Sequence, residues 1–313
     1  MSFDIDVTPR CVGLVKQSGV TSPAYSRFVL KPIADAAYYC YYYTMLDNDK
    51  TLLHLAKNLR HSLTEDQLGA ISMAVPPLAE QKRIVAFLDT KCAEIDALAA
   101  DIQSQIDTLE QYKRSVITEA VTKGLNPDVK MKDSEIAWAN SVPAHWVSSK
   151  IKYEVFPLQR LVRPSDLVIT CFRDGEVTLR QNRREDGFTI SISENGDQGV
   201  EVGDLVIHGM DVFAGAIGCS DSRGKIAPVV HVCKTTGNNR FIMYILRSMA
   251  ANDVLMNFAE GIRVRSSDFR NFNKLGKFPI EMPPVNEQNK IVDFLDQKCE
   301  KIIVNYCSEE KVT

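Results

Sequence analysis

One phrase occurs twice in this chain. Residues 76–92 read PPLAEQKRIVAFLDTKC and residues 283–299 read PPVNEQNKIVDFLDQKC. Pro-Pro, Glu-Gln, Ile-Val, Phe-Leu-Asp and Lys-Cys recur in register at an offset of 207 residues. A recurrence of this length marks two copies of one structural unit, which means two equivalent binding modules or one pseudo-symmetric partner surface. The likeness extends upstream. GVTSP at 19–23 and the strand after it match GKIAP at 224–228 followed by 229–233, and the helix around Tyr39 matches the one around Tyr244. Residues 1–75 thus read as the back half of a module whose full version is 141–282.

Residues 79–123 contain neither Gly nor Pro, and Gly124 with Pro127 beyond it makes a natural stop. A heptad fits this stretch. Leu88, Ile95, Ile102, Leu109 and Val116 fall on one seam line; Lys91, Leu98, Gln105, Tyr112 and Glu119 fall on the other. The spacing predicts a helix of roughly 60 Å, at 1.5 Å per residue, whose apolar stripe needs another long helix to cover it. Leu88, Ile95, Leu98, Ile102, Leu109, Tyr112 and Val116 are the expected contact residues. Glu80-Gln81 and Glu287-Gln288 open helices just after Pro-Pro, where acidic residues suit the helix dipole; partner contact is the alternative role. Phe87 and Phe294 are expected to anchor each helix to its module.

The remainder is a mixture of strands and short helices. Residues 25–30 read as a strand ended by Pro32. Residues 33–45 have helical spacing, with Tyr38, Tyr39, Tyr41, Tyr42 and Tyr43 forming either a packed face or a platform for stacking bases. Residues 73–77 close this part as an extended piece. Residues 125–140 read as a polar connector. Strands are predicted at 167–171, 176–179, 188–192, 204–207, 229–233 and 277–282, between turn signals such as Asp174-Gly175 and Asp186-Gly187. A helix is predicted over 241–249. Trp138 and Trp146 flank the start of this module and are expected to pack. The fold class is α+β, with β-rich modules joined by a long coiled-coil-type helix.

Bulk properties narrow the function. Net charge is −3 and the isoelectric point about 6.0, so a nucleic-acid binder of this composition must concentrate Lys and Arg locally. Eight cysteines form no Cys-x-x-Cys pair, which disfavours zinc and redox chemistry and suits a reducing compartment. No apolar run approaches membrane-spanning length. The expectation is a cytoplasmic protein with no membrane contact, no metal and no cofactor. The five histidines lie scattered without ligand spacing.

Pro-Pro-x-x-Glu-Gln, Ile-Val-x-Phe-Leu-Asp, a heptad helix ending in Val121-Thr122-Lys123-Gly124, and two β-rich modules at equal spacing together resemble the specificity subunit of type I restriction–modification enzymes. Pro143-Ala144-His145-Trp146 looks like the motif that opens a target-recognition domain. The resemblance covers essentially the whole chain and implies a partial first target-recognition domain at 1–75, a conserved spacer helix at 76–124, a linker at 125–140, a second target-recognition domain at 141–282, and the start of a second conserved helix at 283–313. Against the family pattern the chain starts inside the first domain and stops early in the second helix, so a version truncated at both ends is expected. The resemblance also implies partners: double-stranded DNA read as a bipartite site, methyltransferase subunits docked on the helices, and restriction subunits through them.

Catalytic signatures are missing from the sequence. Each Pro-Pro lacks the Asn or Asp before it and the Tyr after it that a methyltransferase motif needs, and Gly224-Lys225 is followed by Ile226 rather than by the Ser or Thr of a phosphate loop. No catalytic residue is expected. Base edges are read by Arg, Lys, Asn and Gln. The turn-rich stretch RDGEVTLRQNRR supplies Arg173, Arg180, Gln181, Asn182, Arg183 and Arg184, with a solvated hairpin as the plainer alternative. Arg183 is the leading base reader among them. Arg223 and Lys225 are candidates for phosphate contact. Arg263 and Arg265 share one side of an extended segment, and Arg60 is their counterpart in the first module. Two other readings stay open: an adaptor that binds partner subunits without reading DNA, and self-association of two copies.

Overall fold

The computed structural model describes residues 2–4, 12–56, 63–134, 136, 138–183, 197–257 and 269–310, with the side chains of 2–4 and 303–310 excepted. Contacts divide the chain into two compact units, 1–104 and 105–313.

In the first unit β1 (Ser2–Asp4) pairs antiparallel with both β2 (Val12–Gly13) and β3 (Tyr25–Arg27). The helix α1 (Ala36–Asn48) follows, then α2 (Thr51–Leu55) and α3 (Glu65–Gly69). Asp35 caps α1 by accepting from the Ala37 and Tyr38 N–H groups, so the helix starts three residues later than its apolar spacing suggested. The core is small: Leu52, Ala56, Leu63 and Leu68, with Phe28 and Tyr43 against it. Residues 73–77 pair with no strand. The tyrosines of α1 form a packed face: the Tyr38 and Tyr42 hydroxyls lie 3.4 Å from the Ala74 and Ser72 carbonyls.

The helix α4 (Leu78–Lys123) is continuous over 46 residues, about 69 Å at 1.5 Å per residue. It starts directly after Pro77, whose carbonyl accepts from the Glu80 and Gln81 N–H groups. It stops at Gly124, which sits at φ +72°, where a side chain would strain the backbone. The seam is covered unevenly. Leu88, Ile102, Leu109 and Val116 are half-buried, but Ile95, Leu98 and Tyr112 are 63%, 56% and 48% exposed. Near the C-terminal end the buried line is Ile117, Ala120 and Val121 rather than Val116. A straight helix drifts about 20° per heptad, hence about 80° over the four heptads from Leu88, which brings Ile117 onto the line.

The second unit begins before the reader module proper. Here β4 (Met131–Asp133) pairs with β5 (Ser141–Pro143), and Ile136, Ala139 and Val142 are buried beneath them. Residues 125–140 are therefore folded structure rather than a plain connector. In chain order come β6 (Val147–Lys150), α5 (Ile151–Glu154), β7 (Val155–Pro157), β8 (Ile169–Cys171), β9 (Val177–Leu179), β10 (Gln198–Val200), β11 (Leu205–His208), β12 (Ile217–Cys219), β13 (Gly224–Ile226) and β14 (Val230–Thr235). After these, α6 (Asn239–Ala251), α7 (Val254–Asn257), α8 (Phe272–Leu275), β15 (Pro279–Met282) and α9 (Val285–Glu310) complete the chain. The expected strand at 188–192 lies outside the described residues.

The central sheet runs β12-β11-β14-β7, antiparallel throughout. Both faces are buried. Leu205, Ile207 and Cys233 point to a core shared with α6, α9 and the end of α4; Val206, Val230 and Val232 point to a second core with β8, β9, β10 and β13. A strand buried on both faces carries apolar residues at consecutive positions, hence the unbroken Leu-Val-Ile of β11. Trp146 is 2% exposed and meets the Phe241 ring edge-on at 6.4 Å. Phe87 is 61% exposed, whereas Phe294 packs on the core.

The repeated phrase builds the same joint twice. Gln81 is fully buried at the start of α4; its amide donates to the Pro76 and Ile33 carbonyls and its Oε1 accepts from the Asp35 N–H at 2.8 Å. Gln288 is 3% exposed at the start of α9; its amide donates to the Pro283 carbonyl and its Oε1 accepts from the Asn238 N–H at 2.9 Å. Asp35 and Asn238 are the N-caps of α1 and α6, each 13 residues long. About two turns on, the Tyr41 hydroxyl donates to Asp89 and the Tyr244 hydroxyl to Asp296, both at 2.7 Å. These hydrogen bonds hold both phenols above their ordinary pKa; burial is the largest contribution at Tyr244. The counterpart of Tyr244 is thus Tyr41, not Tyr39. Even the strained residue after each helix recurs, Lys50 at φ +59° and Asp253 at φ +57°.

Replacing Gln288 by Leu strands a buried N–H and a buried carbonyl with little change in volume. Urea unfolding followed by tryptophan fluorescence, which reports the second unit because Trp138 and Trp146 are the only tryptophans, is expected to show a loss on the order of 2–4 kcal/mol.

Candidate nucleic-acid interface

The segment rich in Arg, Gln and Asn is a hairpin. Between β8 and β9 the chain turns through residues 172–176, closed by the Phe172 N–H on the Glu176 carbonyl at 2.8 Å and the Gly175 N–H on the Phe172 carbonyl at 3.0 Å. A 3-10 turn over Arg180–Asn182 follows. The alternation of the strands sends Cys171 and Val177 inward. The polar residues fall at the tip and the base of the hairpin. Gln181, Asn182 and Arg183 are exposed.

Arg183 holds the tip together. Its guanidinium reaches Asp174 at 2.5 Å and Glu176 at 3.1 Å, and lies over the Phe172 ring at 4.4 Å. The bond to Asp174 raises the Arg183 pKa, and the partnership outweighs desolvation to hold the Asp174 carboxyl below its ordinary value. The donors expected to read a base are thus directed at the hairpin's own acids. Arg180 donates its Nε to Thr170 at 3.2 Å and Asn182 its amide to Thr178 at 2.8 Å, which fixes both along the strands. The Arg173 side chain is 71% exposed and holds one ion pair, to Asp211 at 3.0 Å.

Arg223 is committed elsewhere. Its guanidinium pairs with both Asp166 oxygens at 3.0 Å and with Glu201, while Arg160 forks onto the buried Asp204. Three cations and three carboxylates, counting Arg163, bind the loop at 158–166 to the loop at 201–204. Such a cluster fixes loops and leaves the Arg223 donors turned inward. Lys225 lies in β13, half-exposed, with its backbone bridged to Val168, the residue just before β8. Arg60, Arg184, Arg263 and Arg265 lie outside the described residues. Cys171, Cys219 and Cys233 have thiols pushed up to about 12, mainly by burial, as small apolar core residues should. Among the described residues no group of His, Cys, Asp and Glu could hold a metal ion, and no helix is long and apolar enough to cross a membrane.

No family model matches the chain. Over 154 residues it is 30% identical to the type I restriction enzyme EcoBI specificity subunit of Escherichia coli, which covers 44% of this chain and 31% of that protein. Over 84 residues it is 32% identical to the type I restriction enzyme EcoKI specificity subunit of Escherichia coli strain K12, covering 27% and 16%. In fold it matches a chain from the solved structure titled "Structural basis underlying complex assembly and conformational transition of the type I R-M system", with a TM-score of 0.60 at 15% identity over 90% of this chain and 67% of that one. The chain resembles the specificity subunits of type I restriction enzymes. The α+β class and the long helix fit that likeness. The matched length spans less than a third of either curated relative.

Sequence reasoning missed the acids that occupy Arg183, although Asp174 and Glu176 flank the turn and their charge was visible. It also passed over Lys113, Arg114 and Arg247, which carry no motif and meet only through the fold.

Burial alone would raise the Asp166 pKa; the Arg163 N–H at 2.8 Å and the Arg223 guanidinium outweigh it and hold the carboxyl below its ordinary value. A depressed carboxylate stabilises above its unfolded pKa of about 3.9, and the contribution disappears as pH falls through the lower folded value. Asp166→Asn is therefore expected to lower the urea midpoint at pH 7, and the gap from the unsubstituted protein should narrow as pH falls below the unfolded value and close once it has passed through the lower folded one.

Proposed function

We propose that this chain is the DNA-specificity subunit of a type I restriction–modification system. It contributes no chemistry of its own. It reads one half of a bipartite duplex site with the module at 141–282, and residues 1–75 contribute to the other. The observation that carries this reading is the duplicated joint. A protein that holds two readers on two long helices needs one rigid attachment used twice, and the Gln81 and Gln288 staples with their Tyr–Asp partners are such an attachment. The relatives named above support the same reading.

Within the reader, the exposed Gln181 and the weakly held Arg173 are the best base-contacting groups, with Arg180 and Asn182 set along the strands beside them. Arg183 acts as the clamp that shapes the tip. Methyltransferase subunits dock on α4, where residues 91–100 are exposed throughout and present Ile95 and Leu98. Restriction subunits join through them.

Selection from a randomised duplex library, with the chain alone and with a type I methyltransferase subunit added, tests the proposal. A gapped preferred sequence is expected. Gln181→Ala should then relax preference at one base pair by roughly 1–3 kcal/mol, whereas Arg183→Ala should weaken all sequences together because the tip loses its clamp. Recovery of no preferred sequence in either condition would leave an adaptor that binds partners without reading DNA.

A further inference from the structure

A groove of about 550 Å³ lies between the last turns of α4 and the reader module. Glu110, Lys113, Arg114 and Ile117 stand on one face of α4 at spacings of three and four residues. Ile117 is 8% exposed and packs into the main core, so this face is turned toward the module. The facing wall is the Arg173-Asp174 turn and the end of α6 at Arg247.

The walls are fixed. Thr118 and Ser248 share a hydrogen bond at 2.9 Å, and the Asn252 amide donates to the Thr118 hydroxyl at 3.1 Å. Arg247 donates to the Asp174 carbonyl. It lies over Gly175, a position that the φ of +89° and the Ile217 carbonyl reserve for glycine. Among the described residues Lys113 and Arg114 hold no ion pair; Arg247 hydrogen-bonds a neutral carbonyl, and its charge also acts on the Asp174 carboxylate, which Arg183 pairs directly. The groove acids are Glu110, Asp174 and Asp253, and Asp174 is already taken by Arg183. Fixed walls that carry underpaired Lys and Arg provide what a phosphodiester needs: fixed donors and positive potential.

We infer that this groove seats a DNA backbone phosphate, held by Lys113 and Arg114 of α4 together with Arg247, without regard to sequence. The inference rests on the DNA-binding reading above and adds the spacer helix to the DNA-binding surface. A phosphate held there fixes the register of the duplex against the hairpin tip, because Arg173 belongs to both groove and tip.

The experiment uses the full chain and fluorescence anisotropy over a range of salt, with two duplexes, one random and one selected as preferred. The double variant Lys113→Gln, Arg114→Gln is compared with Lys113→Arg, Arg114→Lys and with a control, Lys277→Gln, Lys290→Gln, at exposed sites away from the groove. The Gln pair is expected to weaken both duplexes by the same factor, on the order of tenfold, and to flatten the plot of log affinity against log salt by about 1.8, or about 0.9 per lost contact. The charge-keeping pair and the control should stay within about twofold of the unsubstituted chain, with unchanged melting temperatures throughout. If the preferred duplex is still selected and the Gln pair binds like the unsubstituted chain, the groove assignment falls while the specificity reading stands. If random duplex binds and the Gln pair abolishes it, but no preferred sequence exists, the groove stands and the specificity reading falls. Loss in the control equal to that in the Gln pair, or no binding to any duplex, overturns the groove assignment.

Discussion

A buried glutamine side chain sets the geometry of this protein. Gln81 and Gln288 each sit one turn inside a long helix with both ends of the amide engaged on backbone. The oxygen takes the N–H of an N-cap residue, a group that the helix it caps cannot satisfy. The nitrogen takes the carbonyl of the first proline of Pro-Pro. Because a buried amide with an unmet donor or acceptor costs more than a met one returns, the joint tolerates only one angle between each helix and the helix it staples. The Tyr–Asp bond about two turns further on adds a second fixed point, and two points define a direction. This explains why the glutamine and the aspartate recur in both copies.

The second unit is organised around that constraint. With α6 and α9 locked together, the four-stranded sheet has a fixed floor on one face, and the hairpin of β8 and β9 closes the other. The hairpin tip is then shaped by charge. Arg183 neutralises Asp174 and Glu176, and Arg247 passes over the turn to the Asp174 carbonyl. Exposed polar groups meant to contact a ligand need such bracing, since a loose side chain loses its rotamer entropy on binding. Glu287 performs a related task at the other end of the unit, where His145 at 2.7 Å and the Trp146 indole at 3.2 Å both meet its carboxylate.

Much of the architecture was legible in the sequence because it is periodic or repeated. The long helix has neither Gly nor Pro before a glycine stop, and the structure shows it continuous up to that stop. The phase of the buried line was not legible: a strict heptad places Val116 on the seam, while a straight helix turns Ile117 inward. Residues 125–140 looked like a connector because Lys, Asp and Ser dominate them, yet Ile136, Ala139 and Val142 suffice to fold the stretch against β5. The candidate binding surface was the hardest part. Arg183 and Arg223 look like free donors in a linear reading, and only the fold brings Asp174, Glu176, Asp166 and Glu201 to them. The same blindness hid Lys113, Arg114 and Arg247, which only the fold brings to one groove.

Residue-resolved amide hydrogen exchange at Asp35 and Asn238 tests the central claim most directly. Each N–H is donated to a buried glutamine oxygen, so both should exchange far more slowly than the loop amides preceding them and should lose that protection when their own glutamine, and not the other, is replaced by leucine. Exchange of either amide at the rate of an open loop in the unsubstituted chain would contradict the account.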